Sequence, residues 1–125
     1  MILHTHFKKV ETSSQGCHLQ DYIRAKYTEL VDILGDPEEM RPTSGKISTC
    51  WTFESMAGEI VTLYDWKMTD EYMADLMSIV KFRKLEFYNW HVAAKNYSSA
   101  SQFMWWLNGK LDLLKIKPIF ERNCK

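Results

Sequence analysis

The sequence has no excess of either charge, no long apolar run and no cysteine framework. Sixteen Lys and Arg side chains balance sixteen Asp and Glu. That balance argues against general nucleic-acid binding, which shows as a basic excess. It also leaves little electrostatic resistance to self-association. No stretch approaches the roughly 20 apolar residues that span a bilayer. Met1 to Val10 holds His4, His6, Lys8 and Lys9 and lacks the apolar core of a secretory signal. Cys17, Cys50 and Cys124 are an odd number without disulfide spacing. A reducing, cytoplasmic compartment is therefore expected. No phosphate-cradling Gly-rich loop, nucleophile elbow or zincin helix is found. The one grouping of metal-ligating types is His4, His6, Cys17 and His18. It can hold zinc only if folding gathers it, and no paired Cys-x-x-Cys or His-x-x-x-His supports that. Neither a metal site nor a cofactor is assigned.

What is present suits a globular chain. Its 125 residues are 46% hydrophobic and 14% aromatic, with five Trp and six Tyr. One domain, residues 1–125, is expected, large enough to bury a core without disulfides or metal. The organising stretch is Gly45 to Lys67, two alternating runs around a turn at Gly58, which predicts a β-hairpin. On its first arm Ile47, Thr49, Trp51 and Phe53 share a face. On its second, Ile60, Thr62, Tyr64 and Trp66 oppose Glu59, Val61, Leu63 and Asp65. Such a hairpin needs a third strand or a helix against it.

The flanking chain supplies both. Leu3, Phe7 and Val10 suggest an edge strand, and Leu19–Ala25 a second, with Tyr22 as anchor. Tyr27, Leu30, Val31 and Leu34 fall on one face of a short helix that Gly35 and Pro37 end. One longer helix over 19–34 fits the same period. Thr69 is placed to cap a helix over 69–80, with Asp70 and Glu71 in its first turn. Lys81, Arg83 and Lys84 would sit at its C-terminus, where cations are favoured, or form a basic loop for phosphate. Glu86–Val92 predicts a further strand, with Phe87, Asn89 and His91 on one side and Tyr88, Trp90 and Val92 on the other. Ser99 and Gln102 give a capping-box pattern for a helix over 99–115. Phe103, Trp106, Leu107, Leu111 and Leu114 stripe that helix, Lys110 interrupts the stripe, and Gly109 is an alternative stop. From Pro118 the tail is expected to fray. The fold class is α+β: an antiparallel sheet built on a central β-hairpin, packed by two to three helices.

Candidate chemistry lies at two strand ends. Trp66 and Lys67 close one strand; Trp90, His91, Lys95, Asn96 and Tyr97 lie in and after another. If the strands are antiparallel neighbours the two ends need not coincide; if they are parallel they share a rim. Trp66, Trp90 and Tyr97 would stack a base, Lys67, Lys95 and Arg83 would hold phosphate, and His91 and Asn96 would give polar specificity. The competing reading puts the tryptophans in the core and the lysines in solvent. His91 with Asp65 or Cys50 is a weaker candidate general base. Met104 and Trp105, off the main stripe of the last helix, mark a candidate interface.

Several of these residues form a pattern. Tyr27, Leu30 and Leu34-Gly35-Asp36-Pro37 are followed by Gly45-Lys46, Trp51, Gly58, Tyr64-Asp65-Trp66-Lys67 and Trp90-His91-Val92-Ala93-Ala94-Lys95. This order, covering about residues 19 to 97, resembles small phage-encoded α+β proteins with a Gly-Lys…Trp…Gly…Tyr-Asp-Trp-Lys…Trp-His-Ile/Val pattern. Among them the chain is most similar to the Thoeris anti-defence sponge proteins. Ala93-Ala94 replaces the pattern's Gly-Gly, and the segment after Thr69 looks like an insertion. The resemblance implies a homo-oligomeric, non-catalytic protein of the host-cell cytoplasm that sequesters a cyclic ADP-ribose-like or cyclic nucleotide signal. It does not transfer ligand residues one by one. The alternative expectation is an inhibitor that docks on a host defence protein through Trp105, Met104 and a sheet edge.

Overall fold

Alternation and helical period resolve into five strands and three helices. A computed structural model describes residues 6–12, 14–38 and 45–123, the last seven by backbone alone; His4 and Cys124 lie outside them. The elements are β1 (Phe7–Lys9), β2 (His18–Ala25), α1 (Tyr27–Leu34), β3 (Cys50–Ser55), β4 (Ile60–Tyr64), α2 (Ile79–Arg83), β5 (Tyr88–Ala94) and α3 (Tyr97–Asn123). The strands form one sheet in the order β1-β3-β4-β5-β2, antiparallel throughout. The expected hairpin, β3–β4, is central. Its turn is tied by Ser55, whose hydroxyl accepts from the Ala57 and Glu59 N–H groups, and Gly58 takes the positive φ it needs.

Alternation then decides the faces. Trp51, Phe53, Val61, Leu63, Trp90 and Val92 point to one side and are buried, where α1 and α3 cover them. Leu30 and Leu34 of α1 and Ala100, Phe103, Leu107 and Leu111 of α3 complete this core. Phe103 packs on Phe7 and Phe53 at centroid distances of 5.3 and 5.1 Å. Each buried indole finds a polar partner: Trp51 Nε1–H donates to Gly35 O at 2.9 Å and Trp90 Nε1–H to Ala25 O at 3.1 Å. Asp65, fully buried, accepts from Ser48 N–H, Ser48 O–H and Thr49 N–H at 2.6 to 2.7 Å. It thereby fastens the entrance of β3 to the exit of β4.

Two helix expectations need correction. No helix forms over 69–77. The segment turns back on itself, with Asp70 N–H donating to Met77 O and a bridge between Thr69 and Met77. Gly45 explains the override: at φ 74° it lies so close to this segment that a Cβ there would overlap the backbone of Glu71 and Tyr72. Thr69, the expected cap, is buried with its hydroxyl unpartnered. Helix begins only at α2, where Ser78 Oγ accepts from Lys81 N–H at 3.1 Å. The last helix starts two residues early because Asn96, not Ser99, caps it: Asn96 Oδ1 accepts from Ser99 N–H and Ser99 O–H at 2.9 and 3.0 Å. It also runs through Gly109 and past Pro118.

Candidate functional site

Helices α1 and α3 pack against the inner face of the sheet, and the outer face carries the residues that alternate with the core. β1 and β2 are the two edges of the sheet, and both run the same way. The connection between them, to which residues 10–12 and 14–17 belong, must therefore pass three strands. Val10 N–H donates to Thr52 O at 2.9 Å, and Cys17 Sγ lies 3.6 Å from Ile60 O. With α1 and α3 on the inner face, this strap crosses the outer one. It accounts for the burial of Thr52, Thr62 and Ala93, which are paired across β3, β4 and β5 and face outward, yet are 2, 5 and 6% exposed.

Among the described residues the next row of the same face is more open, with Tyr22 exposed and Cys50, Tyr64 and His91 partly so. Tyr22, His91, Tyr64 and Cys50 stand in register across β2, β5, β4 and β3. The His91 ring lies between the two phenols, 4.8 Å from Tyr22 and 5.2 Å from Tyr64 by centroid. Tyr22 is 49% exposed. Trp66, 40% exposed, continues the row's far side at 6.3 Å from Tyr64. Lys67 follows in a left-handed conformation, its ammonium 5.5 Å from the Trp66 ring and 5.3 Å from Tyr72. The arrangement is a shelf, walled by the strap on one side and by Trp66 and Lys67 on the other.

Behind the shelf, Trp66 N–H donates to Tyr88 Oη at 3.3 Å, and Tyr88 Oη lies 3.4 Å from His91 Nδ1. Burial pushes the Tyr88 phenol up to about 12; the Trp66 N–H opposes this and Asp65 adds to it. Burial lowers the His91 pKa, partly offset by Asp65. Tyr64 is raised by burial and then by its neighbours Tyr22, Cys50 and Cys17. These directions agree: near neutral pH Tyr64 and Tyr88 keep their phenol protons and His91 is a neutral imidazole, uncharged groups that stack and exchange hydrogen bonds.

No family model and no curated protein sequence matches the chain.

The structure sorts the residues singled out from sequence. Trp66, Lys67 and His91 meet at the shelf. Trp90 is on the opposite face, 1% exposed, so it serves the core and offers no stacking surface. Lys95, Asn96 and Tyr97 lie at the other end of β5, because β4 and β5 are antiparallel neighbours. There Asn96 is committed to its cap, and Tyr97 O–H lies 3.4 Å from Asp21 Oδ2. Arg83 is also elsewhere, its guanidinium 4.7 Å from the Tyr27 ring and donating to Thr49 Oγ1 at 3.3 Å. Asp65 does not orient His91 by a hydrogen bond, since Ser48 and Thr49 engage both its oxygens. Among the described residues no three His, Cys, Asp or Glu side chains are grouped to hold a metal, and no helix is long and apolar enough to cross a membrane. Of the expected interface, Trp105 is 63% exposed and Met104 half-buried.

Tyr22, Tyr64 and Tyr88 are the site residues that sequence reasoning missed. Alternation put Tyr64 on the face of Trp66 and Tyr22 on an anchoring strand. Nothing local said that β2 would pair with β5 and bring Tyr22 beside His91.

Proposed function

We propose that the protein is a non-catalytic binder of a small nucleotide, held on the Tyr22–His91–Tyr64 row. Its action would be to sequester that ligand, as the phage anti-defence resemblance implies. The supporting observation is the row itself: three rings in register on a sheet face that no helix covers. Stacking on an aromatic side chain contributes about 1–3 kcal/mol per base, and phenol and imidazole edges add hydrogen bonds. The reading requires no reaction, and a homo-oligomer with the ligand between copies is one form of it.

The test is native mass spectrometry of the protein purified from cells, followed by denaturation and mass analysis of what is released. An intact nucleotide at subunit stoichiometry, lost in Tyr22→Ala, supports the reading. A protein that releases nothing and binds no member of a cyclic-nucleotide panel sinks it. Conversion of added nucleotide to a new species would replace sequestration by catalysis.

One observation favours a second reading, docking on a partner protein. Trp105 and Leu113, 63% and 67% exposed, lie on α3 away from the Phe103–Leu107–Leu111 stripe. They line, with Trp106 and Gly109, a groove of about 520 Å³. Trp105→Ala would disable this function and spare nucleotide binding; Trp66→Ala would do the reverse.

A further inference from the structure

The two strands that carry the open end of the aromatic row continue beyond it as a ladder. On β2, Tyr22 and Arg24 follow one another on the outer face, with Lys26 just past the strand end at the N-cap of α1; on β5, His91 and Asn89 do the same, with Phe87 just before the strand. Tyr22 pairs with His91 and Arg24 with Asn89, and Ala25 pairs with Tyr88, which sets Lys26 beside Phe87. The Arg24 guanidinium carbon lies 4.7 Å from the Phe87 ring centroid and Lys26 Nζ lies 5.3 Å from it. One ring thus gathers two cations. Phe87 is 42% exposed, so the cluster faces solvent, where a ligand reaches it. Arg24, Phe87, Tyr88 and Asn89 line a cleft of about 250 Å³. That volume is below the roughly 300–1,000 Å³ of sites that enclose a whole small molecule, but it admits one anionic group. Glu29, the nearest acid on α1, has Oε1 engaged by the Lys26 N–H at 3.0 Å.

We infer that Arg24, Lys26 and Asn89 form a phosphate subsite, reading the phosphoryl group of a nucleotide whose base lies on the Tyr22–His91–Tyr64 row. This rests on the proposed nucleotide binding and sharpens it. Arg24 and Asn89 stand two residues along their strands from Tyr22 and His91, about 6.6 Å, a step comparable to that from the middle of a base to its phosphate; the Phe87 ring over which both cations gather lies a further two residues on, so the Lys26 ammonium meets the phosphate from its far side. Guanidinium supplies a fork of donors matched to phosphate oxygens, the ammonium a second positive charge, and the Asn89 amide a neutral donor. The ligand class is a phosphorylated nucleotide rather than a nucleoside. Anion recognition thereby falls to Arg24 and Lys26, not to Lys95 or Arg83.

The experiment titrates the full chain with adenosine, AMP and inorganic pyrophosphate, followed by calorimetry and by NMR of the Arg24, Lys26 and Asn89 side chains. AMP should bind at least about tenfold tighter than adenosine, the difference expected of one charge-assisted contact. Arg24→Gln with Lys26→Gln should bring AMP down to adenosine, with the circular dichroism spectrum unchanged. Equal binding of AMP and adenosine, insensitive to both substitutions, overturns the subsite and leaves the aromatic row standing. Pyrophosphate that shifts these three side chains while neither adenosine nor AMP binds retains the anion site and rejects the base-stacking reading. No response to any of the three probes overturns both.

Discussion

The inner and outer faces of this sheet are made by alternate residues of the same strands, yet they are finished in opposite ways. Along β5 the inner residues Trp90 and Val92 are buried under helices, and Trp90 has even its indole N–H satisfied by Ala25 O. The residue between them, His91, stands among phenols in a row that stays open. At the end of β4 and just past it, Leu63 and Asp65 are sealed, while Tyr64 is half-buried and Trp66 exposed. Aromatic content is thus not one property of this chain. On the inner face rings fill space against other apolar groups. On the outer face they are arranged in register, with His91 and Tyr64 partly buried and Tyr22 and Trp66 exposed.

The comparison breaks most visibly in the core. Trp90→Ala should cost about 3–5 kcal/mol in chemical denaturation, since it opens a cavity and strands Ala25 O. If Tyr22→Ala costs as much, the two faces are not distinct in kind. Next is Asp65→Asn, which sets an amide N–H₂ against donors from Ser48 and Thr49. A loss of about 1–3 kcal/mol is expected, with Trp66 fluorescence altered because the exit of β4 loosens. A variant of wild-type stability would mean that the Asp65 brace holds nothing.

How much of this was legible in the sequence depends on the range of the forces involved. Local periodicity found α1 at its actual bounds, Tyr27–Leu34, and separated inner from outer residues on β4 and β5. It failed where a distant backbone decided the outcome. Thr69, Asp70 and Glu71 read as a helix start, but Gly45 packs where that helix would run. The site was legible only in part for the same reason. Trp66, Lys67 and His91 were identified, whereas Lys95, Asn96 and Tyr97 were grouped with them because strand order cannot be read from alternation. Tyr22 joined the site through pairing with a strand far along the chain.

Smaller effects sharpen the contrast through pH. A phenol at about 12 when folded and about 10 when unfolded holds its proton more tightly in the folded state. Tyr88 therefore contributes stability that is intact below about pH 10 and lost as pH climbs towards 12. Denaturation across this range should show a fall in the wild type that is shallower in Tyr88→Phe. His91 is shifted the other way, downwards. Its contribution is present above about pH 6.5 and lost as pH falls through the folded-state value; His91→Gln should flatten that acid limb. The least change in stability belongs to Tyr22→Ala, within about 0.5 kcal/mol. The same substitution should abolish whatever nucleotide co-purifies, so that a residue nearly silent in denaturation is decisive in binding.

The positions of β1 and β2 carry a consequence for biosynthesis. The first two strands made become the two outside strands of the sheet, each waiting for a partner not yet synthesised. Some sixty residues separate Ala25 from its partner Tyr88, several seconds of elongation at about 5–20 residues per second. During that interval β3 and β4 are made, but Tyr22 and Ile23 keep their backbone groups unpaired until β5 follows. The aromatic row, built from β2, β5 and β4, is therefore assembled only once β5 has left the ribosome, and a nascent chain arrested before that point presents no such row.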